Sequence, residues 1–290
     1  SIKNTINIQN VSNYSQILIM KNLTMFCLTM NNNHLNIINK LGYIPVGLGK
    51  EIYSNEFLKD NTKKNISNKN PYYGEYTFHY WLWKNYLDEM NDGWIGFCQY
   101  RKFWSDKGSE NKIMNFNDLN NIIKKKTTND DILYESIIGL PLYTNRFKLS
   151  KFIKKNLGVI IKEPSLLFNK NKRTIKFHFD LMHGAGNLIK AINLFDEDEK
   201  KDFYDFVNTE VSFNPHNMFI CNSKKILKNY YSSVFPWLER CEEEFGFNLQ
   251  GYGKKRIYGF LAERYMSFWF KKYTKYKTLP IIFKDISDFN

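Results

Sequence analysis

The segment "NPYYGEYTFHYWLWKNYL" and the apolar run that follows it limit the possible folds most strongly. Pro71 suits the first turn of a helix, with Asn70 as its cap. From Tyr73 to about residue 88, aromatic residues recur at steps of three and four, which predicts one helix with an apolar stripe. Gly93 ends this helix, and residues 94–98 form a near-continuous apolar run that is typical of a strand.

Similar patterns continue along the chain. Short strands are predicted in "MKNLTMFCLTM", "LGYIPVGLG", "DDILYESIIGLP" and "SFNPHNMFICN". Helix patterns cover residues 186–208, 223–244 and 256–273. Because strands first alternate with helices and the second half is mostly helical, the sequence predicts an α/β fold with a central sheet and a mainly helical C-terminal part.

The chain is strongly basic. Its 290 residues carry a formal net charge of +13, which favours anionic partners such as nucleotide diphosphates, acidic glycans, nucleic acid or an anionic membrane surface. No nucleic-acid-binding motif accompanies the charge, so nucleic acid is not a predicted partner. The runs Lys124-Lys125-Lys126 and Lys154-Lys155 are interpreted as solvated surface.

The spacing of the cysteines and the length of the apolar runs indicate the cellular compartment of the protein. The four cysteines show no CxxC spacing, so buried thiols in a reducing compartment are expected. No apolar run approaches the roughly 18 residues that span a bilayer, and no signal peptide is visible. We therefore expect a soluble cytoplasmic domain, with residues 1–19 as a linker or an artificial N-terminus and the chain as a piece of a larger protein.

Polar residues follow the strand at residues 94–98 directly. Gln99, Tyr100, Arg101 and Lys102 lie at its carboxyl end, the edge at which ligands usually bind in α/β sheets. This position predicts a ligand site with two adjacent cations.

Two blocks of sequence resemble one protein family. "DNTKKNISNKNPYYGEYTFHYWLWKN" followed by "GWIGFCQYRKFW" is similar to the DUF4422 family of bacterial capsular and surface-polysaccharide glycosyltransferases. "HNMFI", "FPWLERCEEE" and "KRIYGFLAERYMSFW" extend the resemblance to roughly residues 22–284. The chain departs from the family pattern at Gln99, where His is usual, at Lys102, where Arg is usual, and in "TMNNNH" after the first strand.

The resemblance implies a GT-A-like (Rossmann-like) central sheet flanked by helices, and some members act as galactofuranosyltransferases. It implies transfer from a UDP-sugar, such as a galactofuranose or its N-acetyl form, to a growing capsular polysaccharide. Residues 20–290 would form one glycosyltransferase domain, with a nucleotide-sugar-binding half at 20–145 and an acceptor-side helical half at 146–290. Other capsule-synthesis domains and the inner membrane face are expected contacts. The alternative is a non-catalytic polysaccharide-binding or scaffold module.

A glycosyltransferase must stabilise the departing diphosphate. Many GT-A enzymes use a D-x-D motif and a divalent metal, but "NDD" (129–131) precedes a strand and "DEDEK" (196–200) lies in a predicted solvated helix. We therefore expect cationic side chains to neutralise the diphosphate, since Arg makes bidentate phosphate contacts, and we do not favour bound Mn²⁺ or Mg²⁺. An ion pair between Arg101 and a structural carboxylate such as Glu75 is the alternative.

The donor-binding residues predicted from the resemblance and the strand-end position share the N-terminal half. They are Thr29, Asn65, Ser67, Glu75, Lys84, Tyr100, Arg101 and Lys102. Glu75 and Lys84 are expected on one broad side of the predicted helix. Tyr76, Tyr80 and Trp83 are interpreted as packing residues rather than as sugar platforms.

The catalytic and acceptor residues are predicted in the C-terminal half. Arg256, Gly259 and Glu263 share one helix face, which favours Glu263 as the base or acceptor contact; an ion pair with Arg256, or another ion pair within the helix, is the alternative. Histidine as a residue type titrates near neutrality, so His183 is predicted to do acid–base work, with a structural role as the alternative and Asp180 as a weaker candidate. The predicted acceptor or sugar contacts are His216, Asn217, Arg256 and Arg264.

Overall fold

The computed structural model describes residues 22–108, 113–146, 165 and 169–289. The predicted linker at residues 1–19 and the pair Lys154-Lys155 lie outside these ranges.

The strands of the described residues form one large sheet and one small one. In chain order they are β1 (Leu23–Thr29), β2 (Ile44–Gly47), β3 (Leu58–Lys59), β4 (Trp94–Gln99), β5 (Lys102–Trp104), β6 (Ser136–Gly139), β7 (Leu142–Tyr143), β8 (Ser212–Phe213), β9 (Phe219–Cys221), β10 (Tyr276–Leu279) and β11 (Ile281–Phe283). The large sheet has the order β10-β6-β9-β4-β1-β2-β3, while β5 pairs with both β4 and β11, and β7 pairs with β8. Strand β9 runs antiparallel to β4 and β6, whereas β1 is parallel to β2 and β4.

Helices surround the sheet and dominate the second half. They are α1 (Leu35–Lys40), α2 (Asn70–Tyr73), α3 (Tyr76–Asn85), α4 (Phe116–Ile122), α5 (Ile175–His183), α6 (Asn187–Ile192), α7 (Glu197–Thr209), α8 (Lys224–Phe245), α9 (Tyr252–Lys255) and α10 (Ile257–Tyr273). Short 3-10 helices lie at Asn32–His34, Ser67–Lys69, Asp131–Leu133, Thr144–Arg146, Lys170–Lys172 and Ile286–Phe289. The predicted α/β fold with a mainly helical C-terminal part is confirmed.

The central strands are buried on both faces because apolar side chains point to each side in turn. On β4, Ile95 and Phe97 belong to the core beneath α3, α8 and α10. Trp94 and Cys98 belong to a second core formed with α1, α4 and β5. The ring of Phe97 lies 5.6 Å from that of Phe26 on β1, so the two strands share one apolar layer. This alternation explains why β4 reads as a continuous apolar run.

The prediction of a single helix from Tyr73 to about residue 88 is wrong. Gly74 has a φ of +59° and separates α2 from α3. A side chain at this position would collide with the Arg256 guanidinium, so the break also makes room for a residue from α10. Asn70 does not act as the predicted cap; its Nδ2 donates to the Gly74 carbonyl at 3.0 Å and to Thr77 Oγ1 at 3.2 Å. The predicted helix at 186–208 is likewise two helices, α6 and α7.

The interpretation of Lys124 as solvated surface is also wrong. Its side chain is fully buried and forms ion pairs with Asp106 at 2.7 Å and with Asp131 at 2.6 Å. Asp131 is itself buried and accepts from Lys277 at 2.8 Å. The acidic "NDD" segment therefore belongs to a structural ion-pair network that ties the entrance of β6 to β10.

Asp60 binds the first turn of the helix that follows the break at Gly74. It is fully buried, and its carboxylate accepts from the Gly49 N–H at 2.8 Å and from Thr77 Oγ1 at 2.5 Å. None of the described residues forms an ion pair with it. Burial therefore raises the pKa of Asp60 to about 6, against the opposite effect of its two hydrogen bonds.

Replacing Lys124 with Met should destabilise the protein by about 3 kcal/mol, because Asp106 and Asp131 lose a buried cation. Lys125 is exposed and supplies the matched control; Lys125→Met should change the free energy of unfolding by less than about 0.5 kcal/mol. Urea denaturation of both variants checks this. Equal effects would contradict a structural role for Lys124.

Replacing Asp60 with Asn should flatten the pH dependence of stability. The pKa of the carboxyl is higher in the folded state than in the unfolded chain, so its stabilising contribution is complete below about pH 4 and is lost as the pH rises through about 6. We expect the unfolding free energy of the wild type, relative to Asp60→Asn, to fall by about 3 kcal/mol across this window. Denaturation at several pH values measures it, with the exposed Asp88→Asn as control. Parallel profiles for wild type and Asp60→Asn would contradict the raised pKa.

Candidate functional site

A cleft lies at the carboxyl ends of β1 and β4 and has three connected compartments. The strand-end compartment, of about 70 Å³, is lined by residues that include Thr29, Asn70, Gly74, Tyr100 and Arg101. The cationic compartment, of about 160 Å³, is lined by residues that include Glu75, Gln99, Arg101, Lys102, Arg256 and Glu263. The apolar cavity, of about 600 Å³, is lined by residues that include Leu181, Met182, His183, Phe213, Phe260 and Arg264. Shared lining residues make the three one continuous cleft.

Arg101 and Lys102 enter the cleft because the chain turns sharply after β4. Gln99 pairs with Lys102 across this turn, at the start of β5. Neither cation forms an ion pair with any described residue; Arg101 lies 5.4 Å from the Tyr100 ring, and Lys102 lies 6.0 Å from the Phe283 ring. Burial lowers the pKa of Lys102. The alternative in which Arg101 pairs with a structural carboxylate is therefore not realised among these residues.

Glu75 occupies the opposite wall and has other partners. Its Oε1 accepts from Gln99 Nε2 at 2.9 Å, and its Oε2 lies 3.7 Å from Arg256 Nη2. Gln99 Nε2 also donates to the carbonyl of His216 at 3.2 Å. Gln99, which departs from the family pattern, thus connects β4 to the chain that enters β9.

His216 and Asn217 hold an unusual backbone at the floor of the cleft. Both have positive φ, +84° and +51°, a conformation that costs of order 1–3 kcal/mol at a residue other than glycine. Asn217 Nδ2 donates to the Gly259 carbonyl at 3.1 Å, while its buried Oδ1 has no hydrogen-bond partner among the described residues. Burial and the nearby Lys102 lower the pKa of His216 to about 3, so its imidazole is neutral at pH 7. Strain and an unpaired buried acceptor together are typical of a ligand site.

Glu263 stands where the cationic compartment meets the apolar cavity. Its Oε1 accepts from the His216 N–H at 2.6 Å, and its Oε2 pairs with Arg264 Nη1. Arg264 is almost fully buried, lies 4.0 Å from the Phe213 ring, and its Nε has no hydrogen-bond partner among the described residues. Arg256 faces Glu75 rather than Glu263. The alternative of an ion pair within the helix is confirmed, because Glu263 and Arg264 both belong to α10.

The other two predicted catalytic residues differ in position. His183 lines the apolar cavity; its Nδ1 bonds to the Gly253 carbonyl at 2.9 Å, and its ring stacks on Phe260 at 4.0 Å. Burial strongly lowers the pKa of His183. Asp180 instead accepts from Lys176 at 2.7 Å and from the Gly186 N–H at 3.0 Å, and it does not line the cleft.

Three predicted donor residues lie elsewhere. Asn65 is exposed and accepts from the Ser67 hydroxyl at 2.8 Å, so both belong to a local turn. Lys84 lies on the surface with its Nζ 3.2 Å from the Trp83 ring. The expectation that Glu75 and Lys84 share one helix side is wrong, because nine residues at 3.6 per turn place them about half a turn apart.

Two of the residues that line the cleft, Tyr252 and Gly74, were not predicted. Tyr252 is 71% exposed at the boundary between the cationic compartment and the apolar cavity, next to Phe260. Asn70 and Gly74 line the strand-end compartment. The sequence signal for Tyr252 is a single aromatic residue between two glycines, which reads as a turn and carries no periodicity.

The acidic segment at residues 196–200 serves the fold. Glu199 accepts from the hydroxyls of Tyr265 and Tyr273, both at 2.6 Å, and pairs with Lys272 at 3.0 Å, so the prediction of a solvated segment is wrong for this residue. Within residues 22–108, 113–146, 165 and 169–289, no group of three or more His, Cys, Asp or Glu could hold a metal ion. In the same part of the chain no helix has the length and hydropathy needed to cross a membrane. All four cysteines are buried and free, as predicted.

The chain is similar to known proteins in its fold and in its sequence. The chain resembles a solved structure described as the WbbM bifunctional glycosyltransferase in its apo form, with a TM-score of 0.62 and 19% sequence identity over 90% of this chain. The match spans 45% of the WbbM chain. No curated protein matches the sequence significantly. The two structures share a fold, as the family resemblance implied.

The family model of DUF4422, a domain of unknown function, matches residues 27–275. This span contains the cations after β4, the positive-φ pair before β9 and the α10 residues of the cleft. The chain therefore belongs to the DUF4422 family.

Proposed function

We propose that this protein is a glycosyltransferase that moves a sugar from a nucleoside diphosphate donor to a saccharide acceptor. The observation that carries the proposal is the pair Arg101 and Lys102, two cations that form no ion pair with any described residue, in a cleft at the carboxyl edge of the sheet. A diphosphate supplies the negative charge that these side chains lack. The shared fold with a glycosyltransferase supports the same reaction class.

The donor would occupy the strand-end and cationic compartments. Arg101 borders both, so its guanidinium can contact the diphosphate while the nucleoside extends toward Thr29 and Tyr100. As the sugar–phosphate bond breaks, the charge on the leaving oxygen increases, and Arg101 and Lys102 stabilise it more than they stabilise the bound donor. In this proposal the cations perform the task that a metal performs in many related enzymes.

Glu263 is the proposed base. Its carboxylate lies at the junction with the apolar cavity, where an acceptor hydroxyl can approach the donor sugar. The backbone N–H of His216 and the Arg264 guanidinium fix its orientation. Removal of the hydroxyl proton as the new bond forms makes the acceptor oxygen a better nucleophile.

The finer identity of the substrates also belongs to this proposal. The donor is a UDP-sugar, with a furanose such as galactofuranose or its N-acetyl form as the transferred group. The acceptor is a growing bacterial capsular polysaccharide at the cytoplasmic side of the inner membrane. Further capsule-synthesis domains are proposed partners of the protein. The family resemblance and the charge of +13 support these choices.

Replacing Arg101 with Ala should weaken UDP binding by about tenfold to a hundredfold, because a charge-assisted phosphate contact is lost. The measurement is thermal stability against UDP, since ligand at about 100 times its Kd adds roughly 2.7 kcal/mol. Lys190→Ala, at an exposed site on α6, changes the net charge equally and should leave binding intact. Stabilisation that requires Mn²⁺ and disappears with a chelator would contradict the cationic route. A protein that binds glycans but no nucleotide would be the non-catalytic polysaccharide-binding module.

Replacing Glu263 with Gln should lower turnover by about a hundredfold to ten-thousandfold while UDP still stabilises the variant. Release of UDP from a panel of UDP-sugars in the presence of acceptor measures the turnover. The retained response to UDP controls for folding, since the substitution also removes the charge that pairs with Arg264. Unchanged turnover would transfer the role of base away from Glu263.

A further inference from the structure

The apolar cavity is the largest of the three compartments and differs chemically from the other two. It lies between α5, the chain that follows β8, and the turn that carries Tyr252. It shares His216, Tyr252, Phe260 and Glu263 with the cationic compartment. A molecule in this cavity would therefore lie directly beside the proposed diphosphate and base. Its volume of about 600 Å³ is that of a typical small-ligand site.

Most of the wall is hydrocarbon. The apolar side chains that form it are Leu142, Leu181, Met182, Phe213, Pro215 and Phe260. Burial of apolar ligand surface against such a wall is favourable in proportion to the area removed from water. A ligand that fits this wall must present an apolar face of its own.

The charges in the wall balance. Among the described residues that line the cavity, the charged ones are Glu263 and Arg264, which neutralise each other. Burial lowers the pKa of His178 and His216 to about 3 and that of His183 further, so these imidazoles are neutral at pH 7. Among the described lining residues an additional anion would find no free cation, and its desolvation would not be compensated there. The cavity thus favours an uncharged ligand, in contrast to the cationic compartment.

Tyr252 supplies an accessible ring at the mouth of the cavity. Its side chain is 71% exposed, and its ring meets Phe260 edge to face at 6.0 Å. The other rings are engaged: Phe260 stacks on His183, and Arg264 covers Phe213. A sugar ring has one face formed by C–H bonds, and this face can lie on an exposed aromatic ring while the hydroxyls at its edge reach polar groups. Glu263 is a polar group at the place where the apolar cavity meets the cationic compartment.

We propose that the apolar cavity binds the acceptor as an uncharged sugar, with Tyr252 as the ring on which the sugar's C–H face lies and with the reactive hydroxyl directed toward Glu263. This inference rests on the proposed transferase function and specifies its acceptor. It also predicts that a sugar with an additional apolar group, such as a 6-deoxyhexose, is bound at least as well as the parent hexose. Acidic sugars of a polysaccharide would have to lie outside the cavity.

The test is a ligand-observed NMR titration of the UDP-saturated protein with three methyl glycosides: a neutral hexose, its 6-deoxy counterpart and its hexuronic acid. We expect the two neutral glycosides to bind and the uronide to bind at least about tenfold more weakly. Tyr252→Ala should weaken binding of the neutral glycosides by about threefold to tenfold, and Tyr252→Phe, which keeps the ring, by less than about twofold.

Stabilisation by UDP, measured on the same two variants, separates this inference from the proposed function. Tyr252 is exposed, so both variants should fold, and because its ring also borders the cationic compartment, their response to UDP shows whether a loss of glycoside binding is confined to the apolar cavity. The inference is overturned if the uronide binds as tightly as the neutral glycosides, if Tyr252→Ala binds them like the wild type, or if no glycoside binds while UDP does. Absence of a UDP response in the wild type would instead overturn the transferase proposal.

Discussion

The Glu75 carboxylate connects parts of the molecule that are far apart in the sequence. It holds Gln99 at the end of β4 and faces Arg256 at the start of α10, while Gln99 reaches on to the carbonyl of His216. These contacts join the sheet edge, the helix break and the entrance to β9 around the cleft. Gly74, next to Glu75, leaves room for the Arg256 guanidinium, which a side chain at this position would have to displace. The cleft is therefore built from residues of all parts of the fold.

The cleft divides its polar and apolar tasks along its length. At one end, Arg101 and Lys102 are cations that no described carboxylate pairs. Glu263 lies in the middle, where two donors hold its carboxylate. The far end is lined mostly by hydrocarbon. Such a gradient suits two substrates of opposite character that must meet at one point. The same gradient gives each substrate a reason to enter its own end, because the anion is poorly solvated in the apolar cavity and the apolar ligand gains little among the cations.

Local patterns were sufficient to predict the elements whose structure depends on nearby residues. The apolar run of β4, the helix pattern of α8 and the strand-end position of Arg101 all express rules that act within a few residues. The break at Gly74 was missed because an isolated glycine inside a helix pattern does not by itself show that its backbone adopts a positive φ. Lys124 reads as surface because its partners Asp106 and Asp131 meet it only in the folded protein. The pairing of β6 with β10 brings Lys277 to the carboxylate of Asp131 as well.

The site residues that directly follow a strand were predicted from that position. The prediction was incomplete for residues that reach the cleft from other parts of the chain. Arg101 and Lys102 follow a parallel strand and obey the strand-end rule. Strand β9 runs in the opposite direction, so its site residues precede the strand, and they were found through the family resemblance instead. Tyr252 belongs to a turn without periodicity and was missed.

The close packing of Gly253 has a consequence for how this protein could diverge. A side chain there would collide with the Met182 carbonyl of α5, so α9 and α5 are in backbone contact at the cavity mouth and this spacing requires glycine. The spacing across the cavity mouth is fixed by backbone contact. Diversification of the bound saccharide would therefore proceed through side chains that border the opening, at positions 252 and 182, while the frame that carries them stays constant.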